Sequence, residues 1–317
     1  MSFAPEGVVR YIDLFCGIGG FRLALEDAAS ANRLTPRCVL SSDINKSCRE
    51  VYTANFNETP GGDITQVSAD SVPDHDVLLA GFPCQPFSIM GMQKGFQDTR
   101  GTLFFEIARI LEAKRPPLIV LENVRMLKNH DNGRTLAKIM EVLKGLGYHA
   151  DHRVLNALDF GLPQKRDRIW IVGFLEKADM VWPSGGKKRA ALSEILEADA
   201  PKKYYASEKI RANRLRDVKK TVTPGIWHEN KSGNISVKPY SCALRAGASH
   251  NYLLVNGERR LTPRELLRLQ GFPEWFKPAE KYHHMKAQAG NSLPVNVARA
   301  VINAAFCAVM KSAVTNG

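Results

Sequence analysis

The stretch VVRYIDLFCGIGGFRLALEDAAS (Val8–Ser30) starts apolar and β-branched, passes Gly17, Gly19 and Gly20, and continues with apolar residues at helical spacing. Val8–Phe15 reads as a buried strand and the segment from Gly20 as a helix opened by glycine. A strand that turns through glycines into a helix lets backbone N–H groups approach a ligand at the helix N-terminus. A tight turn needs one glycine; three in this short space point to a cofactor loop. The spacing is more compact than the dinucleotide pattern G-x-G-x-x-G.

Working outward, the same unit repeats. RCVLSSD (Arg37–Asp43) reads as a strand and NKSCREVYTANF as a helix. DVLLAG, the helical TLFFEIARILEAK, the strand PLIVLEN, the helix GRTLAKIMEVLKGLG and the strand DRIWIVGF follow. Repeated βα units predict an α/β fold with a mostly parallel, Rossmann-like sheet and helices on both faces. From about Leu175 the pattern gives way to Lys/Arg-rich and Gly/Ser/Pro-rich sequence, read as a smaller, irregular second domain. In LTPRELLRLQGFP, Thr262 can cap a helix with Pro263 at its first position and Glu265 three residues on. The apolar residues of PVNVARAVINAAFCAVMKS are too evenly spread for a surface helix. It is predicted to pack back on the sheet, making the first domain discontinuous.

The 317 residues carry a net charge of +12. Residues 1–175 hold 20 basic and 20 acidic side chains, and residues 176–317 hold 24 against 12, so the second half carries the whole excess. Such confinement predicts a surface that meets a polyanion, with nucleic acid the leading partner. No uninterrupted apolar run approaches the roughly 20 residues of a membrane span, and the N-terminus lacks the pattern of a signal peptide. The six cysteines show neither C-x-x-C spacing nor a zinc-like His pairing, as expected of free thiols in an intracellular protein without a metal site.

LLAGFPCQPFS (Leu78–Ser88) sets Cys84 on a proline-stiffened turn after a strand, where open α/β sheets present reactive groups. An inert buried thiol reads equally well from this stretch alone. Asp43 ends the second strand, where an acidic side chain either accepts from ribose hydroxyls or caps the next helix. Together with the compact glycine loop it suggests an adenosine-bearing cofactor without a pyrophosphate, a description S-adenosylmethionine fits. Glu122 ends another apolar strand, level with Cys84 if the sheet is parallel. In GLPQKRDRIWIV, alternation along an extended segment would aim Arg166 and Arg168 the same way.

DLFCGIGGFR, GFPCQPFS, LENV, QKRDRI and AGNSLPVNVA occur in the order of the motif blocks of DNA cytosine-5 methyltransferases, which the chain resembles over residues 9–174 and 259–303. The likeness extends to the compact enzymes of bacterial restriction-modification systems. It implies a catalytic and cofactor-binding domain at 1–174, a target-recognition domain at 175–258, and a return to the catalytic domain at 259–317 that completes the cofactor pocket. It implies Cys84 as the nucleophile at cytosine C6, Glu122 at N3 and the exocyclic amine, and Arg168 with Arg166 at O2. Phe15, Gly17, Gly19, Gly20, Asp43, Ile44, Asp63, Ile64, Asn291 and Ser292 match positions of the S-adenosylmethionine pocket. Ile44 stands where the family often has an aromatic residue, and Ala243-Leu244 where it often has Thr and an aliphatic. The resemblance further implies a double-stranded DNA substrate with the cytosine flipped out, and a glycine-bearing loop (Gly91, Gly95, Gly101) that closes over it. A monomer in a prokaryotic cytoplasm is expected. An RNA methyltransferase of the same fold and a non-catalytic DNA-binding regulator are the alternatives.

Overall fold

The computed structural model describes residues 7–83, 103–216, 218 and 221–315, with side chains to 312. Cys84 and the expected loop hinges Gly91, Gly95 and Gly101 lie outside the described residues. The chain forms two compact units: residues up to Leu155 with Asp167–Pro183 and Val297 onward, and Asn156–Arg166 with Ser184–Asn296. These bounds differ from the expected divisions after 174 and 258. Residues 156–166 and 259–296 group with the irregular unit, and only the chain from Val297 groups with the sheet.

The first unit runs β1 (Val8–Leu14), α1 (Gly20–Ala31), β2 (Thr35–Ser42), α2 (Lys46–Phe56), β3 (Val77–Gly81), α3 (Leu103–Lys114), β4 (Leu118–Val124), α4 (Arg134–Gly145) and β5 (His149–Asn156). After β6 (Gln164–Lys165), which belongs to the second unit, β7 (Asp167–Phe174) completes a six-stranded sheet in the order β2-β1-β3-β4-β7-β5. The β1–β2, β1–β3 and β3–β4 pairs are parallel. In β4, Leu118 to Asn123 are all buried, as expected of a strand covered on both faces.

The β4–β7 pair is antiparallel, and that reversal positions the site. It sets Val124 opposite Arg168 and Glu122 opposite Trp170. A parallel β7 would carry Arg168 to the far end of the sheet from Glu122. β3 enters from the other side with Gly81 opposite Glu122.

The stretch Tyr282–Ser312, which holds most of α9 (Val295–Thr315), is long and apolar enough to cross a membrane on composition alone. Its Val297, Ala298, Val301, Ile302, Ala305, Phe306 and Val309 are instead buried, as a core helix requires.

The second unit holds α5 (Leu192–Ile195), α6 (Glu208–Arg216), β8 (Ile226–Glu229), β9 (Ile235–Lys238), β10 (Ser241–Cys242), β11 (Leu253–Val255), α7 (Pro263–Gln270) and α8 (Tyr282–Asn291). β11, β8 and β9 form an antiparallel sheet around Trp227, Leu254 and Ala206, and β10 pairs with β6. α7 begins at the expected capping box, in which Thr262 accepts from Glu265 N and Glu265 accepts from Thr262 N.

Candidate active site

At the ends of β4 and β7, Arg168 Nε lies 2.8 Å from Glu122 Oε1, with both side chains nearly buried. A Cβ added at Gly81 would sit 3.6 Å from Glu122 Oε2 and 3.7 Å from the Phe21 ring. The absence of a side chain at Gly81 therefore leaves room beside the carboxylate. Below it, Trp170 is fully buried and meets Phe21 edge to face at 6.0 Å. The neighbouring Asn123, also buried, donates from Nδ2 to Phe82 O at 2.8 Å. Glu122 and Asn123 thus flank the backbone that leads through Pro83 into Cys84.

The glycine loop lies between β1 and α1. Phe15 has φ 56°, a left-handed conformation strained for a bulky aromatic residue. Gly17, with φ 55°, has nothing within 4 Å of the place its Cβ would take. Gly19, at φ 91°, differs: a Cβ there would collide with the Phe56 ring. Gly20 is the first residue of α1. Of the three glycines, Gly17 leaves an open approach and Gly19 lets α2 pack close.

Asp43 accepts from Gly17 N at 2.8 Å through Oδ2 and from Asn45 N at 2.7 Å through Oδ1. It ties the glycine loop to the start of α2, and each oxygen keeps capacity for another donor. Next to it Ile44 is 73% exposed. Gly61 joins this strand end, donating to Ser41 O and accepting from Asp43 N. Two residues on, Asp63 caps a short turn through Thr65 N. Ile64 is buried in the core.

Four of the five described cysteines are poor nucleophiles. Burial pushes the thiol of Cys16 well up, those of Cys38 and Cys48 to about 12, and that of Cys242 to about 11. Among the described residues no cluster of His, Cys, Asp or Glu is arranged for a metal ion.

Among the described residues Arg166 and Arg168 bond different partners. β6 stops at Lys165 and β7 starts at Asp167, so the extended alternation is broken at Arg166. The Arg166 side chain is fully buried and donates to Leu244 O at 2.9 Å, Gly290 O at 2.8 Å and Ser292 O. Asn291 is the exposed last residue of α8, and Ser292 is its C-cap.

Sequence reasoning passed over three residues here: Asn123, Asp13 and Arg22. Asp13 is fully buried without a well-formed hydrogen bond among the described residues, and burial, reinforced by Asp43, raises its pKa well above the usual carboxylate range. Arg22 bonds Glu26, Glu58 and Tyr52 OH and lies over the Phe56 ring, fixing α1 against α2 behind the glycines. The available signal was a polar residue inside an otherwise buried pattern.

The family model described as C-5 cytosine-specific DNA methylase matches residues 9–307. Type II methyltransferase M.HaeII of Haemophilus aegyptius is 53% identical over 295 residues, covering 92% of this chain and 91% of the relative. Type II methyltransferase M.HhaI of Haemophilus parahaemolyticus is 39% identical, covering 91% of each. Among solved structures, the S. pombe Dnmt2 methyltransferase superposes with a TM-score of 0.71 at 21% identity, over 96% of this chain and 99% of that one. The Entamoeba histolytica methyltransferase EhMeth gives 0.72 at 17%, over 96% and 98%.

Proposed function

The chain belongs to the C-5 cytosine-specific DNA methylase family, and from that premise we propose that it methylates C5 of a cytosine flipped out of double-stranded DNA, with S-adenosylmethionine as donor and Cys84 as nucleophile. The observation that carries the reading is the Arg168–Glu122 pair beside Gly81, one strand from the backbone that leads into Cys84. The raised thiols of Cys16, Cys38, Cys48 and Cys242 leave them unsuited to the nucleophile's role.

A thiolate at Cys84 adds to C6 and makes C5 nucleophilic. Glu122 accepts from the exocyclic amine and holds a proton at N3 as electron density gathers there. Arg168, fixed by Glu122, donates to O2 and opposes the charge that develops on the ring. Asn123 holds the Phe82 carbonyl, two residues before Cys84.

The cofactor assignment fits the residues present. The open face at Gly17, the strained Phe15, the Asp43 carboxylate and the exposed Ile44 meet at the ends of β1 and β2. Asp43 can accept from ribose hydroxyls while it holds Gly17 N, and Ile44 offers an apolar surface to adenine. Asp63 and the backbone of Ile64 complete the set proposed on this unit. Bound there, S-adenosylmethionine supplies an electrophilic methyl group. The enzyme acts on cytoplasmic DNA in a restriction-modification setting.

Incubation with methyl-labelled S-adenosylmethionine and, in parallel, a duplex and bulk transfer RNA tests this reading. Label recovered as 5-methylcytosine from the duplex is expected. Label confined to the RNA, or none in either, overturns it.

A further inference from the structure

Segment Leu244–Ala248 of the second unit has its main chain held by buried side chains from four places in the sequence. Gln164 Oε1 accepts from Leu244 N at 2.9 Å, and Arg166 Nη1 donates to Leu244 O at 2.9 Å. Both are fully buried. Tyr252 OH accepts from Arg245 N at 2.9 Å, and Lys286 Nζ donates to Ala246 O and Ala248 O. Gly290 lets the segment come this close, since a Cβ there would collide with the backbone of Arg245 and Ala246.

The outward face is left bare. Arg245, Gly247, Ser249 and His250 are exposed, and the Arg245 guanidinium lies over the Tyr252 ring at 5.0 Å. Burying a guanidinium and an amide only to fix one peptide is costly unless the conformation itself matters. Gln164 Nε2 also donates to Leu269 O at 2.8 Å, and Arg166 Nη2 donates to Gly290 O and Ser292 O.

We propose that Arg166 and Gln164 are positioning residues for target selection, holding the Leu244–His250 segment in one conformation for the DNA and joining it to the turn that carries Asn291 and Ser292. The proposal rests on the DNA-methylating function given above. It moves Arg166 from the base to the support of the recognising segment.

The test uses the full chain with Arg166→Lys, which keeps the charge but loses the fork, with Arg166→Met, and with Gln164→Leu, which removes the acceptor of Leu244 N. Backbone hydrogen exchange reads the segment directly, because the Leu244 amide is itself the one held by Gln164. Methylation of a duplex pool with randomised bases around a cytosine, read by bisulfite conversion, gives site preference. Exchange at Leu244–Ala248 should quicken by about tenfold or more in every variant that folds, as for one lost buried hydrogen bond. Preference between the best and next-best sequences should narrow by about tenfold, more than kcat on the best sequence falls, with Lys milder than Met.

A folded Arg166→Lys protein with unchanged exchange and site preference but a collapsed kcat would return Arg166 to the base and overturn the proposal. Gln164→Leu with wild-type exchange would do the same if the Arg166→Met variant does not fold. Absence of methylation by the wild-type protein would sink the proposed function, whereas the exchange arm would still decide whether the clamp exists.

Discussion

The sheet unit and the irregular unit satisfy their buried backbone by different means. In the first, ladders between β1, β2, β3, β4 and β7 pair the main chain, and the side chains mostly fill space. In the second, the strands are short, and Gln164, Arg166, Arg214, Arg259, Gln270 and Lys286 send buried side chains to distant carbonyls. A ladder spreads a lost contact over many neighbours, whereas a single guanidinium spanning two or three carbonyls does not. The difference teaches that the loss of one buried side chain is felt more sharply in the second unit than in the first.

The largest expected effect tests that contrast at Glu265. Fully buried, it is held by Arg259 through two 2.8 Å bonds and accepts from Thr262 N and Glu197 N. Glu265→Ala leaves a buried arginine without its anion and should cost about 3–5 kcal/mol. Ile171→Val in the sheet should cost about 0.5–1.5 kcal/mol. Denaturant titration of both variants checks the ratio, and equal losses would break the comparison.

Next is Asn123→Ala. The sheet keeps its ladder, but the buried Phe82 carbonyl loses its donor, for about 1–3 kcal/mol. If Cys84, two residues after that carbonyl, is the proposed nucleophile, kcat should fall by roughly tenfold or more while KM for DNA changes little. A rise in KM with kcat intact would place Asn123 in DNA binding instead.

Much of the first unit was readable in advance because its signals are local. The period of Val8–Ser30 and its glycines sit within a few residues of what they specify, as does the Thr262–Glu265 capping box of the second unit. Strand direction leaves no such trace, so the antiparallel β7 that brings Arg168 to Glu122 could not be read from DRIWIVGF. The partners of Arg166 lie 78, 124 and 126 residues away, and no spacing in QKRDRI encodes them. The charge excess after residue 175 indicated a polyanion, but charge says nothing of how a loop is held.

Asp13 offers a smaller test, inside the sheet unit. Its folded pKa is raised by burial, so the folded state binds the proton more tightly than the unfolded chain. Its contribution to stability is therefore complete below the unfolded pKa near 4 and is lost as pH rises toward the folded value. Asp13→Asn removes that slope, and the variant's Tm relative to wild type should climb from pH 5 to pH 8. A constant difference would mean that Asp13 is not a buried acid.

The smallest expected effect lies at Ile44. Ile44→Trp adds a ring where the side chain is already exposed, and should tighten S-adenosylmethionine by a few-fold, as a stacked aromatic contact of about 0.5–1.5 kcal/mol implies. Calorimetry showing weaker binding would remove Ile44 from the adenine site.

The nucleophile itself is tested most directly by a duplex carrying 5-fluorocytosine. After addition at C6 and methyl transfer to C5, the C5 proton must leave before the sulfur can be eliminated. Fluorine cannot leave as a proton. With S-adenosylmethionine present, the duplex should therefore gain one methyl group and stay covalently joined to Cys84, as seen by denaturing electrophoresis and peptide mapping. Cys84→Ser should form no adduct yet still bind DNA, and Glu122→Gln should form it slowly. Wild-type protein that methylates ordinary duplex without trapping the fluorinated one, or an adduct mapped to another cysteine, would contradict the account.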